Sequence, residues 1–184
     1  MNHRSHRPVR PAAQRGVTLV ESLIVLAVTA VVLGAALPGF ESARERRHLE
    51  GAAAQLETDL HFARSLAAAH HESLRVSFTS GAGGSGWVIH QGSARHCRAE
   101  ADGSAQCNGP ARVHRVVHFA PGDAVGVQAN VSSILFDPLK GTSTPTGTLR
   151  VVGRSGAAVH QVVNLMGRVR SCSPTATLYG YPRC

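Results

Sequence analysis

Two arginines near the C-terminus have the residue types and spacing that suit phosphate. They lie in the segment Gly167-Arg168-Val169-Arg170. Two residues at i and i+2 of an extended segment point to the same side, about 6–7 Å apart. That interval is close to the separation of successive phosphates on one DNA strand. Because a guanidinium donates paired hydrogen bonds to phosphate and Gly167 permits a close backbone approach, the segment predicts a nucleic-acid contact.

The charge of the surrounding chain favours the same partner. The formal net charge is +8, and no Asp or Glu follows Asp137 in the 184-residue sequence. A terminal region of one sign attracts polyanions. Tyr179 and Tyr181 could stack on bases or sugars, although tyrosines in a short loop more often pack locally. The simpler alternative is that these arginines only keep the protein soluble, since the chain has a single Lys and uses arginine as its basic residue. Further basic residues of this region are candidate auxiliary contacts: Lys140, Arg150, Arg154 and Arg183.

Four cysteines suggest disulfides rather than a metal centre. They are Cys97, Cys107, Cys172 and Cys184, and four cysteines allow three pairings. The local solution, Cys97–Cys107 with Cys172–Cys184, closes two short loops in an oxidising compartment. A metal site using His96 beside Cys97 is the alternative, but no C-x-x-C pair supports it. We therefore expect no metal and no cofactor.

The histidines and acids form no catalytic motif. The sequence contains 11 His, yet it lacks a nucleophile motif, a phosphate-binding glycine loop and H-E-x-x-H. His114 and His118 share one face of a predicted strand, and His70 and His71 end a predicted helix. We therefore predict that the protein is not an enzyme, and a membrane-anchored enzyme remains only a remote alternative.

Residues 17–40 are long and apolar enough to cross a bilayer. Twenty-four helical residues at about 1.5 Å each exceed a hydrocarbon core of about 30 Å. The preceding residues 1–16 contain four arginines and no acid, which predicts a cytoplasmic leader. Pro38 and Gly39 would kink or loosen the end of this helix. Glu21 is the anomaly, because a carboxylate in hydrocarbon costs about 2.5 kcal/mol or more unless it is paired.

The rest of the chain predicts an α+β fold. Residues 41–71 continue as an amphipathic helix whose apolar residues recur at spacings of three and four. That stripe is Leu49, Ala53, Leu56, Leu60, Ala63 and Ala67. Residues 72–184 contain short segments with strand periodicity, separated by Gly, Pro, Ser and Asp. The segments are SLRVSFTS, GWVIHQ, ARVHRVVHF, VSSILFD, GTLRVVG and AAVHQVVNL. We expect an antiparallel β-rich head packed on the small-residue stripe of the helix.

The junction Arg15-Gly16-Val17-Thr18-Leu19-Val20-Glu21 closely resembles a type IV prepilin signal, although Phe is more usual than Val17. The resemblance implies that a prepilin peptidase cuts between Gly16 and Val17 and methylates the new N-terminus. Glu21 becomes the fifth mature residue and Pro38 the twenty-second, where many pilins carry Pro. It implies that Glu21 of one subunit pairs with the α-amino group of Val17 in the next. An uncleaved anchor with an interfacial Glu is the alternative.

The head resembles the GspH/FimT-like minor pilins and pseudopilins. The segments that carry this are 134–141 (ILFDPLKG), 146–153 (TGTLRVVG) and 159–172 (VHQVVNLMGRVRSC). The resemblance implies an inner-membrane protein with a periplasmic head that joins other pilin subunits in a fibre or at its tip. In FimT-like pilins of transformable bacteria, a C-terminal G-R-x-R segment is implicated in binding DNA during uptake, and this sequence matches it at Gly167, Arg168 and Arg170. The resemblance therefore implies capture of extracellular double-stranded DNA for natural transformation. The alternative is a structural subunit that primes assembly of a pilus or a type II secretion pseudopilus without binding DNA.

Overall fold

The computed structural model describes residues 16–94, 96–174, 178 and 180–184, without the side chains of residues 36–38. Most of the predicted leader and Tyr179 therefore lie outside the described residues, as does the side chain of Pro38. The chain divides into two compact units, Met1–Glu41 and Ser42–Cys184. The helix α1, Leu19–His70, supplies residues to both units.

In the first unit, the apolar side chains of α1 face outwards. Leu23, Ile24 and Leu33 are each more than half exposed, as expected of side chains that lipid would cover. By length and composition, α1 is able to cross a membrane. Its backbone remains helical through positions 38 and 39. The membrane-spanning role of residues 17–40 stays a prediction.

In the second unit, α1 presents the predicted stripe to the core. All six stripe residues, from Leu49 to Ala67, are at most 1% exposed, so the predicted stripe is confirmed. The helix ends where His71 adopts a left-handed φ of 55°, and the Glu72 N–H then reaches the Ala67 carbonyl at 3.2 Å. This is a common way for a helix to end.

The strands form two main antiparallel sheets and one hairpin. A five-stranded sheet has the order β5-β2-β1-β7-β8, a four-stranded sheet has the order β11-β10-β9-β6, and β3 pairs with β4. The bounds are β1 Leu74–Gly81, β2 Gly84–His90, β3 Cys97–Ala99, β4 Ala105–Cys107, β5 Val113–Phe119, β6 Val125–Ala129, β7 Ser133–Phe136, β8 Ser143–Thr144, β9 Gly147–Gly153, β10 Ala158–Val163 and β11 Val169–Cys172. The α+β architecture predicted from the sequence is confirmed.

Six strands coincide with the segments predicted from periodicity, β11 covers the segment expected to be extended around Arg168 and Arg170, and four short strands were missed. β3, β4 and β8 have only two or three residues, too few to display a period. β6 has five residues, VGVQA, interrupted by glycine. It exists because it pairs with β9, which lies about twenty residues further along the chain. Such long-range pairing is not visible in local periodicity.

A buried carboxylate connects the helix to the first sheet. Asp59 is fully buried and accepts a 2.8 Å hydrogen bond from Trp87 Nε1. It also forms an ion pair with Arg115, whose guanidinium lies over the Phe62 ring at 5.3 Å. A buried charge is tolerable when it is paired and hydrogen-bonded. This contact orients the helix against β2 and β5.

Candidate nucleic-acid interface

The turn between β10 and β11 is closed by one asparagine. The Asn164 side-chain oxygen accepts the Arg168 N–H at 2.9 Å, and the Asn164 carbonyl accepts the Gly167 N–H at 2.9 Å. The Asn164 N–H donates to the Arg168 carbonyl at 3.1 Å. These bonds hold Arg168 in a defined position at the start of β11. Asn164 was not predicted from the sequence to shape this site, although asparagine is a common turn residue.

Gly167 is required by this turn. Its φ is +69°, in the left-handed region that favours glycine. A Cβ there would lie 3.0 Å from the Gly141 carbonyl oxygen and 3.1 Å from Arg64 Nε. Gly167 is buried against these groups. The neighbouring loop of the protein therefore accounts for the glycine, and the close approach of a phosphate to its backbone stays a prediction.

Arg168 and Arg170 are exposed on the same side, and Val169 between them is buried. Arg170 lies opposite Val162 of β10, so its side chain belongs to the outer face of the four-stranded sheet. Within the described residues, no carboxylate forms an ion pair with Arg168 or Arg170. Two guanidinium groups are thus available to an external anion.

Arg150 lies on the same outer face. It pairs across the sheet with His160, which in turn pairs with Cys172 of β11. Since adjacent strands are about 4.8 Å apart, β9 lies about 10 Å from β11. Arg150 Nε donates to His160 Nε2 at 3.2 Å. Burial and the Arg150 charge lower the pKa of His160, and the neutral ring can accept this hydrogen bond.

Lys140 is exposed on the loop that packs against Gly167. Asp137 holds this loop, because its Oδ1 accepts the Leu139 and Lys140 N–H groups at 2.9 and 2.8 Å. These hydrogen bonds, that from Lys140 first, lower the pKa of Asp137. The next residue, Gly141, supplies the carbonyl that faces Gly167. The fold therefore places Lys140 beside the turn that precedes the two arginines.

Arg154 and Arg183 occupy other positions. Arg154 follows β9 at the end away from the Gly167 turn and donates to the backbone carbonyls of Asp123, at 3.3 Å, and Gly122. Its predicted auxiliary role, at a distance from the arginine pair, stays a prediction. Arg183 is exposed and forms an isolated β-bridge with Ser173, beyond the end of β11.

The C-terminal tail folds back onto the core. Leu178 is buried, and Tyr181 is partly buried against the core cluster. Burial, with the charges of Glu50 and Glu57, raises the pKa of Tyr181. The Tyr181 ring therefore packs locally, which is the alternative to stacking on bases.

Both predicted disulfides are present in the structure. Cys97 and Cys107 join β3 to β4 with Cα atoms 4.1 Å apart, and Cys172 and Cys184 tie the tail to β11. His160 lies with Cys172 and Cys184 in a cluster whose ligand atoms are within 4.8 Å of one another. Their sulfurs are bonded to each other and offer no thiolate, so these residues do not fit a metal ion. Cys97 likewise offers no thiolate to a site with His96.

The first unit contains the predicted processing site. Gly16 and Val17 are exposed ahead of α1. Thr18 Oγ1 accepts the Glu21 N–H at 3.2 Å, which is the N-cap half of a T-x-x-E capping box. Thr18 was not singled out from the sequence, although this four-residue pattern would have found it. The roles of Gly16, Val17, Glu21 and Pro38 in processing and assembly stay predictions.

Comparison with known proteins places this arrangement in a family. A family model described as type II transport protein GspH matches residues 52–167. A model of the prokaryotic N-terminal methylation motif matches residues 11–37. No curated protein matches. The type IV minor pilin FimU of Pseudomonas aeruginosa is a similar solved structure, with 20% sequence identity and a TM-score of 0.48 over 68% of this chain and 89% of that one.

The GspH match covers more than half of the chain and stops at Gly167, before both arginines. The similarity to the family therefore gives no information about the role of Arg168 and Arg170. It does explain the combination of an apolar N-terminal helix, a methylation motif and an antiparallel head. The chain belongs to the GspH family of structural minor pilins and pseudopilins.

Proposed function

We propose that this protein is a minor pilin that captures extracellular double-stranded DNA to support DNA uptake in natural transformation. Arg168 and Arg170 contact successive phosphates, and Arg150 and Lys140 extend the contact. The observation that carries the proposal is the exposed arginine pair, with which no described carboxylate forms an ion pair. No acid follows Asp137 in the sequence to oppose it.

The physical reason is counterion release. Each phosphate that a basic side chain neutralises contributes about −0.9 to the slope of log K against log salt concentration. Two arginines thus account for a slope of about −1.8, and four basic side chains for about −3.6. Such binding is independent of base sequence in its electrostatic part and weakens steeply as salt is added.

The proposed pathway begins at the membrane. The peptidase removes the leader after Gly16, α1 holds the subunit in the inner membrane with its head in the periplasm, and the subunit then joins the fibre or its tip. During assembly, Glu21 pairs with the α-amino group of Val17 in a neighbouring pilin. A buried carboxylate is stabilised by such pairing, which explains an acid at the edge of an apolar helix.

A structural role without DNA is the second candidate, and one observation favours it. The fold alone explains Gly167, because a side chain there would meet Gly141 and Arg64. A Gly-Arg sequence at this position does not require a ligand. In that case the protein primes assembly of a pilus or a secretion pseudopilus, and its arginines are solvated.

Duplex binding by the full chain in nonionic detergent tests the proposal. Fluorescence anisotropy with a labelled duplex is measured at several salt concentrations. Arg168→Ala/Arg170→Ala is compared with Arg44→Ala/Arg47→Ala, which removes the same charge from exposed positions on α1. We expect the first variant to bind at least tenfold more weakly with a slope reduced by about 1.8, and the second to resemble the parent. Equal losses, or no binding by the parent, would favour the structural role.

A further inference from the structure

Exposed apolar side chains are concentrated around the turn that precedes the arginine pair. Among the described residues of the second unit, five large apolar side chains are exposed: Val113, Leu139, Val162, Leu165 and Met166. Leu165 and Met166 lie within the β10–β11 turn, at 56% and 64% exposure, and Leu139 is 86% exposed on the adjacent loop. Val162 faces Arg170 across the sheet. Only Val113 lies elsewhere.

Hydrogen bonds hold these side chains on two connected turns. The Ser143 N–H donates to the Leu165 carbonyl at 2.9 Å, and Ser143 Oγ donates to the Asn164 carbonyl at 2.6 Å. Asn164 also closes its own turn onto Arg168. The apex of the β10–β11 hairpin therefore presents Leu165 and Met166 from a fixed backbone. Rigid presentation reduces the entropy that binding would cost.

Basic side chains surround this apolar apex. Arg168 follows Met166 by two residues, Lys140 follows Leu139, and Arg64 approaches Gly167 from the helix. The nearest acid in the sequence is Asp137, and its carboxylate accepts hydrogen bonds from its own loop. Apolar residues flanked by cations suit a polyanion that also offers an apolar interior.

Double-stranded DNA has this combination. Its minor groove is about 6 Å wide, which admits side chains at a hairpin apex but not a helix. Proteins that bind there insert Leu, Met or similar residues between base steps and kink the duplex, while basic residues contact the groove and the phosphates. A protein surface with acidic and apolar groups would match the charge as well, but it would not account for two arginines at phosphate spacing beside the apex.

We propose that Leu165 and Met166 form a wedge that enters the minor groove and partly unstacks a base step. Lys140, Arg168 and Arg170 hold the flanking phosphates. The inference rests on the proposed DNA-binding function and adds a mode of binding to it. Since pyrimidine–purine steps such as TA unstack most readily, the protein should prefer duplexes that contain them, although it reads no base edges.

Duplex bending by the full chain in nonionic detergent tests the wedge. Energy transfer between dyes at the two ends of a 30-base-pair duplex, with a central TA step, reports the bend. Leu165→Gln/Met166→Gln keeps the charge, and Val113→Gln is the matched control for loss of an exposed apolar side chain. We expect the parent and the control to bend the duplex. The double variant should leave it straight and bind roughly tenfold more weakly with an unchanged salt slope, whereas Arg168→Ala/Arg170→Ala should lower the slope.

Three outcomes would overturn the wedge. If the double variant binds and bends DNA as the parent does, Leu165 and Met166 do not enter the groove, while DNA binding stands. They would then face another pilin subunit. If the parent binds without bending, the contact is purely electrostatic and the wedge fails alone. If the parent does not bind duplex DNA at any salt concentration, both the wedge and the proposed function fail.

Discussion

Replacing Gly167 by alanine tests whether this glycine is needed for the packing of the turn or for the binding of a ligand. Gly156→Ala is a matched control, because Gly156 has a similar φ of +83° but open space where a Cβ would lie. The left-handed conformation costs a non-glycine residue about 1–2 kcal/mol, which both variants incur. Only Gly167→Ala places a Cβ 3.0 Å from the Gly141 carbonyl oxygen and 3.1 Å from Arg64 Nε.

The close contacts of the added Cβ make Gly167→Ala more destabilising than Gly156→Ala. Inserting a methyl group into a packed site costs about 1–3 kcal/mol, although the Arg64 side chain can shift more readily than the Gly141 backbone. We therefore expect a loss of about 2–5 kcal/mol of unfolding free energy for Gly167→Ala. For Gly156→Ala we expect about 1–2 kcal/mol.

Urea unfolding of the full chain in nonionic detergent provides the assay. Trp87 is the single tryptophan of the chain and is fully buried, so its fluorescence reports unfolding of the head. Equal destabilisation by Gly167→Ala and Gly156→Ala would refute the packing role of Gly167. An unchanged unfolding midpoint for Gly167→Ala combined with lost DNA binding would show that this glycine serves a ligand after all.

Three further predictions concern processing, assembly and the core. Gly16→Ala should leave the precursor uncut, seen as an unchanged mass of the membrane-bound chain, and normal processing would contradict the cleavage site. Glu21→Ala should be processed yet enter fibres poorly, because it cannot pair with a neighbour's amino terminus; fibre content equal to the parent would argue against this pairing. Asp59→Ala should lower the unfolding free energy by about 1–3 kcal/mol, since it leaves the buried Trp87 N–H without an acceptor. The ion pair with Arg115, whose side chain is 44% exposed, adds little, and a urea midpoint equal to that of the parent would refute the role of Asp59.

Local periodicity predicted the long helix and six of the eleven strands. Leu49, Leu56 and Leu60 recur at helical spacing and therefore lie on one face of α1. All three are buried. Leu74 and Val76 alternate as a strand does, and both are buried. Such patterns work because the period of the backbone decides which side chains share a face. The five-residue strand β6 was not predicted, because it forms by pairing with the distant strand β9.

The sequence by itself also carried the resemblance to the pilin family, through the junction after Gly16 and the segments of the head, and the family comparisons confirm that resemblance. Bilayer thickness and strand periodicity predict less: an apolar helix long enough to span a membrane, followed by a β-rich remainder. Likewise, Arg168 and Arg170 point to one side of an extended segment whatever their neighbours are.

Only the tertiary structure decided what surrounds those arginines. Strand register brought Arg150 onto their face, and loop packing set Gly167 against Gly141. The end of β9 turned Arg154 towards backbone carbonyls. Spacing along one strand specifies the face a side chain occupies, but neighbours across a sheet come from distant segments. Their positions follow from the pairing of whole strands and the closure of the core, which no single stretch of the sequence specifies.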